Sequence, residues 1–289
     1  MNNRVSSGYV LAGVVKLIAY FLLYQFVFVY LGVFCAFFAY RECVAPISYG
    51  EFTTLASPET LHYNTMGTAI GMFLSSLAMI LHLLLFKYVK ISRGFFSEVG
   101  QGVLLFSLLF IGCMMVVFNI IASWLGLENN LEDTFEQLFG NGFGVLSMAL
   151  LAPVLEELLF RGAIQGALMR VFSNPWVGIV VASLLFGIIH LNPVQVFYAT
   201  CLGVGFGWVY YRTGSLLPVI LGHIINNSLA VLGRLLFGAG MDAQATESAQ
   251  GDITLLVVAT VLMMVFGCAI NRSQPAVPVP WRGVNDDAQ

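Results

Sequence analysis

The sequence predicts an all-α, polytopic membrane helix bundle with about eight transmembrane helices. Hydrophobic residues make up 59% of its 289 residues and charged residues only 9%, whereas a soluble domain is typically about 25% charged. A run of about 17 to 25 apolar residues is long enough to cross a bilayer as a helix. Eight runs of this kind lie at 9–38, 66–88, 101–126, 142–163, 175–191, 194–211, 215–235 and 253–271.

The charges between these runs alternate in sign, which supports the count of eight. Lysine and arginine favour the cytoplasmic side of a membrane, so the pattern predicts that both termini are cytoplasmic. Only Arg41 and Arg234 break it. The basic side carries Arg4, Lys87, Lys90, Arg93, Arg170, Arg212, Arg272 and Arg282, and the opposite loops carry Glu42, Glu51, Glu59, Glu128, Glu132, Asp133, Glu136, Asp242, Glu247 and Asp252.

The runs divide the chain into four predicted parts. Residues 1–140 hold the first three spans, and residues 141–236 hold the next four. Residues 237–272 contain a loop and the last span, and residues 273–289, with three prolines, are expected to form a disordered cytoplasmic tail. The short fifth and sixth runs meet at His190-Leu-Asn-Pro193 and should form a tight helical hairpin, because helices normally stop before proline.

Composition argues against two other classes of function. No basic patch or aromatic-basic interleaving is present, so we expect no nucleic-acid partner. The five cysteines lack any C-x-x-C pair, and we expect neither disulfides nor thiol chemistry. They are Cys35, Cys43, Cys113, Cys201 and Cys268.

Charged residues inside the fourth span are the first sign of a functional site. A charge within a bilayer costs a few kcal/mol, yet Glu156, Glu157 and Arg161 lie within six residues of each other. Glu157 and Arg161 are four apart on one helical face and can form an ion pair, whereas Glu156 lies about 100° around the helix without a local partner. This spacing predicts a structural role for Glu157 and a catalytic role for Glu156.

Two further polar groups lie on the fifth and seventh spans. His190 follows Phe186 by four residues, so the aromatic ring can pack against the imidazole. His223 and Asn227 are also four apart and project to one side of their helix. An interhelical hydrogen bond would explain His223 alone equally well. The conjunction of a spare carboxylate, two histidines and an asparagine instead favours one convergent site.

Such a set can hydrolyse an acyl bond. A carboxylate and an imidazole can hold and deprotonate a water. A second imidazole and an amide can stabilise the oxyanion, often by about 3 to 4 kcal/mol. A zinc site from Glu156, His190 and His223 stays open as an alternative, because two histidines and one carboxylate are common catalytic zinc ligands.

At these residues the sequence resembles the CAAX prenyl protease and bacteriocin-processing family of intramembrane glutamic endopeptidases. Its signature, E-E-x-x-x-R, F-x-x-x-H and H-x-x-x-N, occurs in order within 141–236, which the resemblance implies is the catalytic core. The resemblance implies a metal-independent mechanism without a cofactor. It also implies that Glu156 and His190 activate the water, that His223 and Asn227 form the oxyanion hole, and that Glu157, Arg161 and Phe186 support the site.

The expected function is therefore endopeptidase cleavage of a membrane-associated peptide or protein. The compact segment 142–235 resembles the bacterial members, which suggests a bacterial inner-membrane protein and a substrate that is not prenylated. The alternatives are a non-catalytic bacteriocin-immunity or peptide-binding membrane protein and a proton-coupled transporter.

The depth of the histidines within the membrane raises a difficulty. Glu156 and His223 lie roughly 10 and 12 Å from the cytoplasmic ends of their spans, but His190 lies roughly 22 Å from its own. The fifth span must be short, broken or tilted, or the predicted boundaries err by several residues.

Overall fold

The computed structural model describes residues 7–55, 57–89, 99–130, 137–237 and 249–273. Every regular element within these ranges is a helix, which confirms the all-α class. The predicted tail lies outside them apart from Ser273. Several of the charged residues used for the orientation also lie outside them: Arg4, Lys90, Arg93, Glu132, Asp133, Glu136, Asp242, Glu247 and Arg282.

Eight long helices in the described ranges coincide with the eight predicted spans. A ninth, short helix lies between the first two spans. At its start, Glu51 accepts a hydrogen bond from the backbone N–H of Ser48 at 2.8 Å. This bond holds the pKa of Glu51 below its usual range. The helices are α1 (Ser7–Cys43), α2 (Tyr49–Thr54), α3 (Pro58–Leu85), α4 (Gln101–Leu125), α5 (Gly142–Val171), α6 (Pro175–Ile188), α7 (Pro193–Thr213), α8 (Leu217–Phe237) and α9 (Ala249–Arg272).

Six of these helices are long and apolar enough to cross a membrane, so the chain is an integral membrane protein. They are α1, α3, α4, α5, α8 and α9. The other two predicted spans, α6 and α7, form the expected hairpin but are not among the six. With 14 residues, α6 is about 21 Å long, less than the roughly 30 Å of a hydrocarbon core. α7 has 21 residues, but glycines and polar residues lower its hydropathy and nine of its residues are buried.

The core of the bundle centres on α5. Eight of the nine residues between Glu157 and Gln165 are buried, and this segment packs against α1, α3, α6 and α7. α8 covers the preceding part of the same helix. The polar side chains of this segment, Glu157, Arg161 and Gln165, are therefore enclosed by neighbouring helices rather than exposed to lipid.

Within the N-terminal half, α1 and α3 form a close helix pair. α1 and α3 cross with their backbones in contact, since a Cβ atom on Gly67 would lie 2.6 Å from the carbonyl oxygen of Gly32. Small residues permit such crossings in lipid, where close van der Waals packing holds helices together. This pair packs on α5 through Leu17, Leu83 and their neighbours.

α5 departs from the continuous helix that its hydropathy predicts. Ser147–Leu151 and Glu157–Gln165 are π-helical, and Ala152–Glu156 between them is α-helical. In a π-helix each N–H bonds the carbonyl five residues earlier, and such turns often occur at functional sites. Pro153, which has no N–H, lies two residues after the end of the first π-helical segment.

Candidate active site

The three predicted motifs lie on helices that meet in the structure. Glu156, Glu157 and Arg161 are on α5, Phe186 is near the end of α6, and His223 and Asn227 are on α8. α6 packs against the second π-helical segment of α5, and α8 packs against Ala152–Glu156 and the first π-helical segment. The polar groups of three separate sequence motifs are thus brought together.

Glu157 is the buried centre of a charged cluster. Its Oε1 atom accepts a hydrogen bond from Arg161 Nη1 at 2.9 Å, as the spacing predicts, and contacts His223 Nδ1 at 2.8 Å. The Glu157 and Arg161 side chains are 0% and 1% exposed. Because an ionised carboxylate can only accept, Nδ1 of His223 carries a hydrogen. Glu157 therefore holds both Arg161 and the His223 ring in place.

Glu156 has a different environment from its neighbour. Its Oε2 atom lies 3.6 Å from His223 Nε2, which is longer than a hydrogen bond, and its side chain is 14% exposed. The His223 ring thus lies between the two carboxylates. Of the pair, Glu156 is the less enclosed, as expected for a carboxylate that receives a substrate or a water.

Arg161 makes contacts that sequence reasoning missed. Its guanidinium lies 4.5 Å from the centre of the Phe186 ring and 5.3 Å from that of Phe206, within cation–π range. Nη2 donates to the carbonyl oxygen of Gly203 at 3.3 Å. These contacts attach α5 to both helices of the hairpin.

Gln165 repeats this attachment one turn further along α5. Its Nε2 atom donates to the carbonyl oxygen of Gly207 at 2.8 Å. Arg161 and Gln165 are four apart, and so are Gly203 and Gly207, so the matching intervals are a signal that could have been found in the sequence. Both glycines matter: a Cβ on Gly207 would lie 2.6 Å from Gln165 Oε1, and one on Gly203 would lie 3.2 Å from Arg161 Nη2.

The Phe186 ring separates the two histidines. Its centre lies 5.1 Å from that of His190 and 5.8 Å from that of His223, with both pairs nearly perpendicular. His190 Nδ1 also lies 2.8 Å from the carbonyl oxygen of Phe186. Because that oxygen can only accept, Nδ1 donates, and Nε2 is the acceptor when the ring is neutral. The predicted packing of Phe186 against His190 is present.

The predicted fifth span is short, which is one of the alternatives raised by the depth of the histidines. α6 ends at Ile188 after 14 residues, and His190 lies two residues beyond this end. The Phe186 ring contacts both histidines, so His190 and His223 lie on either side of one side chain. The structure does not bring His190 into a hydrogen bond or ion pair with Glu156: within the described residues, the two are linked through Phe186 and His223.

Asn227 is fixed by an irregularity of α5. In the first π-helical segment Ala152 N–H bonds Ser147 O, and the donor for Met148 O would be residue 153, which is proline. The Met148 carbonyl therefore accepts from Asn227 Nδ2 at 2.9 Å instead. His223 and Asn227 both face α5, as their spacing predicts.

The donor set does not fit the alternative zinc site. Across the described ranges, no three side chains of histidine, cysteine, aspartate or glutamate are arranged to hold a metal ion. In the predicted set, His223 Nδ1 is bonded to Glu157 and His190 Nδ1 to the carbonyl oxygen of Phe186.

Comparison with known proteins agrees with the position of the motifs. Residues 139–229 match the family model described as "Type II CAAX prenyl endopeptidase Rce1-like". The chain is also 30% identical over 91 residues to a Bacillus subtilis (strain 168) protein named "Putative membrane peptidase YdiL". That similarity covers 32% of this chain and 37% of the relative, so it spans well under half of either protein. No solved structure shows significant similarity to the chain.

Proposed function

We propose that this chain, whose residues 139–229 match the Rce1-like model of type II CAAX prenyl endopeptidases, is an intramembrane endopeptidase in which Glu156 performs the chemistry. One observation carries the proposal. Glu157 is fully buried and bound by Arg161 and His223, whereas Glu156 is partly exposed and lies 3.6 Å from His223 Nε2. Two adjacent carboxylates in such unlike environments suit one structural and one catalytic role.

The proposed reaction is attack of water on a peptide carbonyl. Glu156 and His190 bind the water, with His190 Nε2 accepting a hydrogen bond because its Nδ1 hydrogen is donated to Phe186 O. Glu156 takes the proton as the oxygen bonds to the carbonyl carbon. The tetrahedral intermediate then expels the amine, which takes the proton from Glu156, so the products are a new carboxyl group and a new amino group.

His223 and Asn227 are the proposed oxyanion donors. When His223 carries both ring hydrogens, its charge and that of Arg161 balance the two carboxylates, and Nε2–H is available on the Glu156 side of the ring. Asn227 uses one amide hydrogen on Met148 O and keeps the second. Hydrogen-bond donors that are held in place before the reaction stabilise the oxyanion effectively, because they need not reorient as its charge develops.

The proposed topology has the core at 141–236, with residues 1–140 as scaffold and both termini in the cytoplasm of a bacterial cell. Two contacts support it. Arg212 Nη2 donates to Asn271 O at 2.5 Å, and both residues belong to the predicted cytoplasmic side. Asn192 Nδ2 donates to Asn129 Oδ1 at 2.8 Å, and both belong to the opposite side.

The proposed substrate is a peptide or protein held at the membrane by its own anchor. The family description names prenylated substrates, whereas the compact core suggested a substrate without a prenyl group. Three quenched-fluorescence peptides with one shared Cys-a-a-X sequence separate these possibilities: one farnesylated on cysteine, one palmitoylated at its N-terminus and one unmodified. We expect the two anchored peptides to be cleaved faster than the unmodified one.

The test of the function uses the full-length chain in liposomes with these three peptides. The unaltered chain should cleave at least one anchored peptide, Glu156→Gln should abolish cleavage, and Glu59→Gln, at an exposed carboxylate in the first turn of α3, should retain it. Cleavage by Glu156→Gln, or no cleavage of any peptide by the unaltered chain, would overturn the proposal. A non-catalytic peptide-binding protein would instead bind the peptides without cleaving them.

A further inference from the structure

A chain of three hydrogen bonds leads from α7 through α8 to α5. Tyr198 Oη donates to Asn226 Oδ1 at 2.9 Å. Asn226 Nδ2 donates to Asn227 Oδ1 at 3.0 Å, and Asn227 Nδ2 donates to Met148 O at 2.9 Å. The chain ends at the carbonyl that Pro153 leaves without a backbone donor.

The carbonyl oxygen at its α5 end fixes the direction of the whole chain, because the Tyr198 hydroxyl can either donate or accept. Met148 O can only accept, so Asn227 must turn its Nδ2 atom toward it and its Oδ1 atom toward Asn226. Asn226 must then donate to Asn227 and accept from the Tyr198 hydroxyl. Each amide has one satisfactory orientation, and a flipped Asn226 would place two carbonyl oxygens against each other.

Neither Tyr198 nor Asn226 belongs to the three motifs. Both are partly buried within the bundle, where lost hydrogen bonds are poorly replaced because water is scarce. The Tyr198 hydroxyl therefore helps to hold the Asn226 amide in place and, through it, the Asn227 amide that Met148 O orients.

We propose that Tyr198 and Asn226 are positioning residues that hold the second amide hydrogen of Asn227 toward the oxyanion. This inference rests on the proposed function and assigns the two residues no contact with substrate. Without Tyr198, the Asn227 amide would occupy its productive orientation for only part of the time. The effect should fall on the rate of the chemical step rather than on substrate binding.

The experiment is a double-mutant cycle on the full-length chain in liposomes, using whichever of the three peptides the unaltered chain cleaves. Tyr198→Phe should lower kcat roughly 3- to 10-fold, which corresponds to the loss of one hydrogen bond, and should leave KM unchanged. Asn227→Ala should lower kcat about 100-fold. The double variant should be no slower than Asn227→Ala alone, because Tyr198 acts only through Asn227.

Two further variants keep the result decisive. Asn226→Ser interrupts the same chain and should match Tyr198→Phe, which covers the case in which one of them folds poorly. Tyr63→Phe removes a hydroxyl from α3, remote from the site, and should leave kcat unchanged. Thermal unfolding of each variant separates loss of rate from loss of folded protein.

The outcomes distinguish this inference from the function it rests on. Full activity in Tyr198→Phe and Asn226→Ser, or losses that multiply with that of Asn227→Ala, would overturn the positioning role while leaving the endopeptidase in place. Cleavage that survives Glu156→Gln would instead refute the proposed function, and the positioning role with it.

Discussion

At the scale of single residues, the two adjacent glutamates differ because of what surrounds each one. Glu157 shares its Oε1 atom between Arg161 and His223 and is completely enclosed. Glu156 projects to another side of α5, where its nearest cationic partner is His223 at 3.6 Å. The two residues are neighbours in the sequence, but on a helix they point about 100° apart and therefore meet different surroundings.

The first prediction is that replacing each glutamate by glutamine changes the free energy of unfolding by very different amounts. Glu157→Gln removes the carboxylate that pairs with the buried Arg161 guanidinium. Removing one partner of a buried ion pair costs about 3 kcal/mol or more. Glu156→Gln should change the free energy of unfolding by less than about 1 kcal/mol. Thermal unfolding in detergent measures both, and equal stability of the two variants would contradict the structural role of Glu157.

At the scale of elements, the unusual feature is the change of helical register within α5. A missing N–H at Pro153 and an i to i−5 pattern before it leave Met148 O to accept from α8. The helix thereby exchanges one backbone hydrogen bond for a contact that fixes a proposed catalytic side chain. Irregular backbone inside a membrane is tolerated where protein groups satisfy it.

Restoring the missing N–H should disturb the site without harming the fold. In Pro153→Ala the new N–H can bond Met148 O, which releases Asn227, while proline in a helix interior costs about 3 kcal/mol. We expect kcat to fall by roughly tenfold or more, with an unfolding midpoint that is unchanged or higher. Pro175→Ala, at the first position of α6, is the matched control and should affect neither value.

An unaltered rate in Pro153→Ala would show that the register of α5 does not serve the site. A rate that falls in parallel with the unfolding midpoint would point to general destabilisation instead.

The same element shows where sequence reasoning stops. Hydropathy located α5, and the four-residue spacing from Glu157 to Arg161 correctly predicted their ion pair, because both depend on local geometry. Register is not encoded in apolar periodicity, so the π-helical segments were not predicted. The contacts of Arg161 with Phe206 and Gly203 depend on how α7 docks, and only the equal spacing of Gly203 and Gly207 hinted at them.

At the scale of the whole molecule, the bundle consists of a close α1–α3 pair and a C-terminal group of helices around α5. The eight predicted spans appear as eight helices, but α6, with 14 residues, is shorter than a hydrocarbon core is thick. One face of α6 packs in the bundle, whereas Trp176, Leu184 and Ile188 are exposed on the other. The length of an apolar run does not tell how deep such a short helix lies, so the depth of His190 could not be predicted from the sequence.

The orientation of the bundle gives a further prediction. In a variant whose native cysteines are replaced by alanine, a cysteine at Thr54 should react with a membrane-impermeant maleimide in intact bacteria. A cysteine at Ser273 should react only after the cells are permeabilised. Thr54 is the last residue of α2 and Ser273 directly follows α9, and the expected labelling follows the predicted sidedness of the charged loops. The reverse labelling pattern would contradict the proposed orientation.

The central claim is that Glu156 carries out the chemistry while Glu157 supports the fold. The most direct measurement is the single-turnover rate constant for cleavage of enzyme-bound peptide by Glu156→Gln, which separates chemistry from binding and product release. Using the anchored peptide that the unaltered chain cleaves, the account predicts a decrease of about 10²- to 10⁴-fold with the peptide Kd unchanged. A rate constant within tenfold of that of the unaltered chain would contradict it.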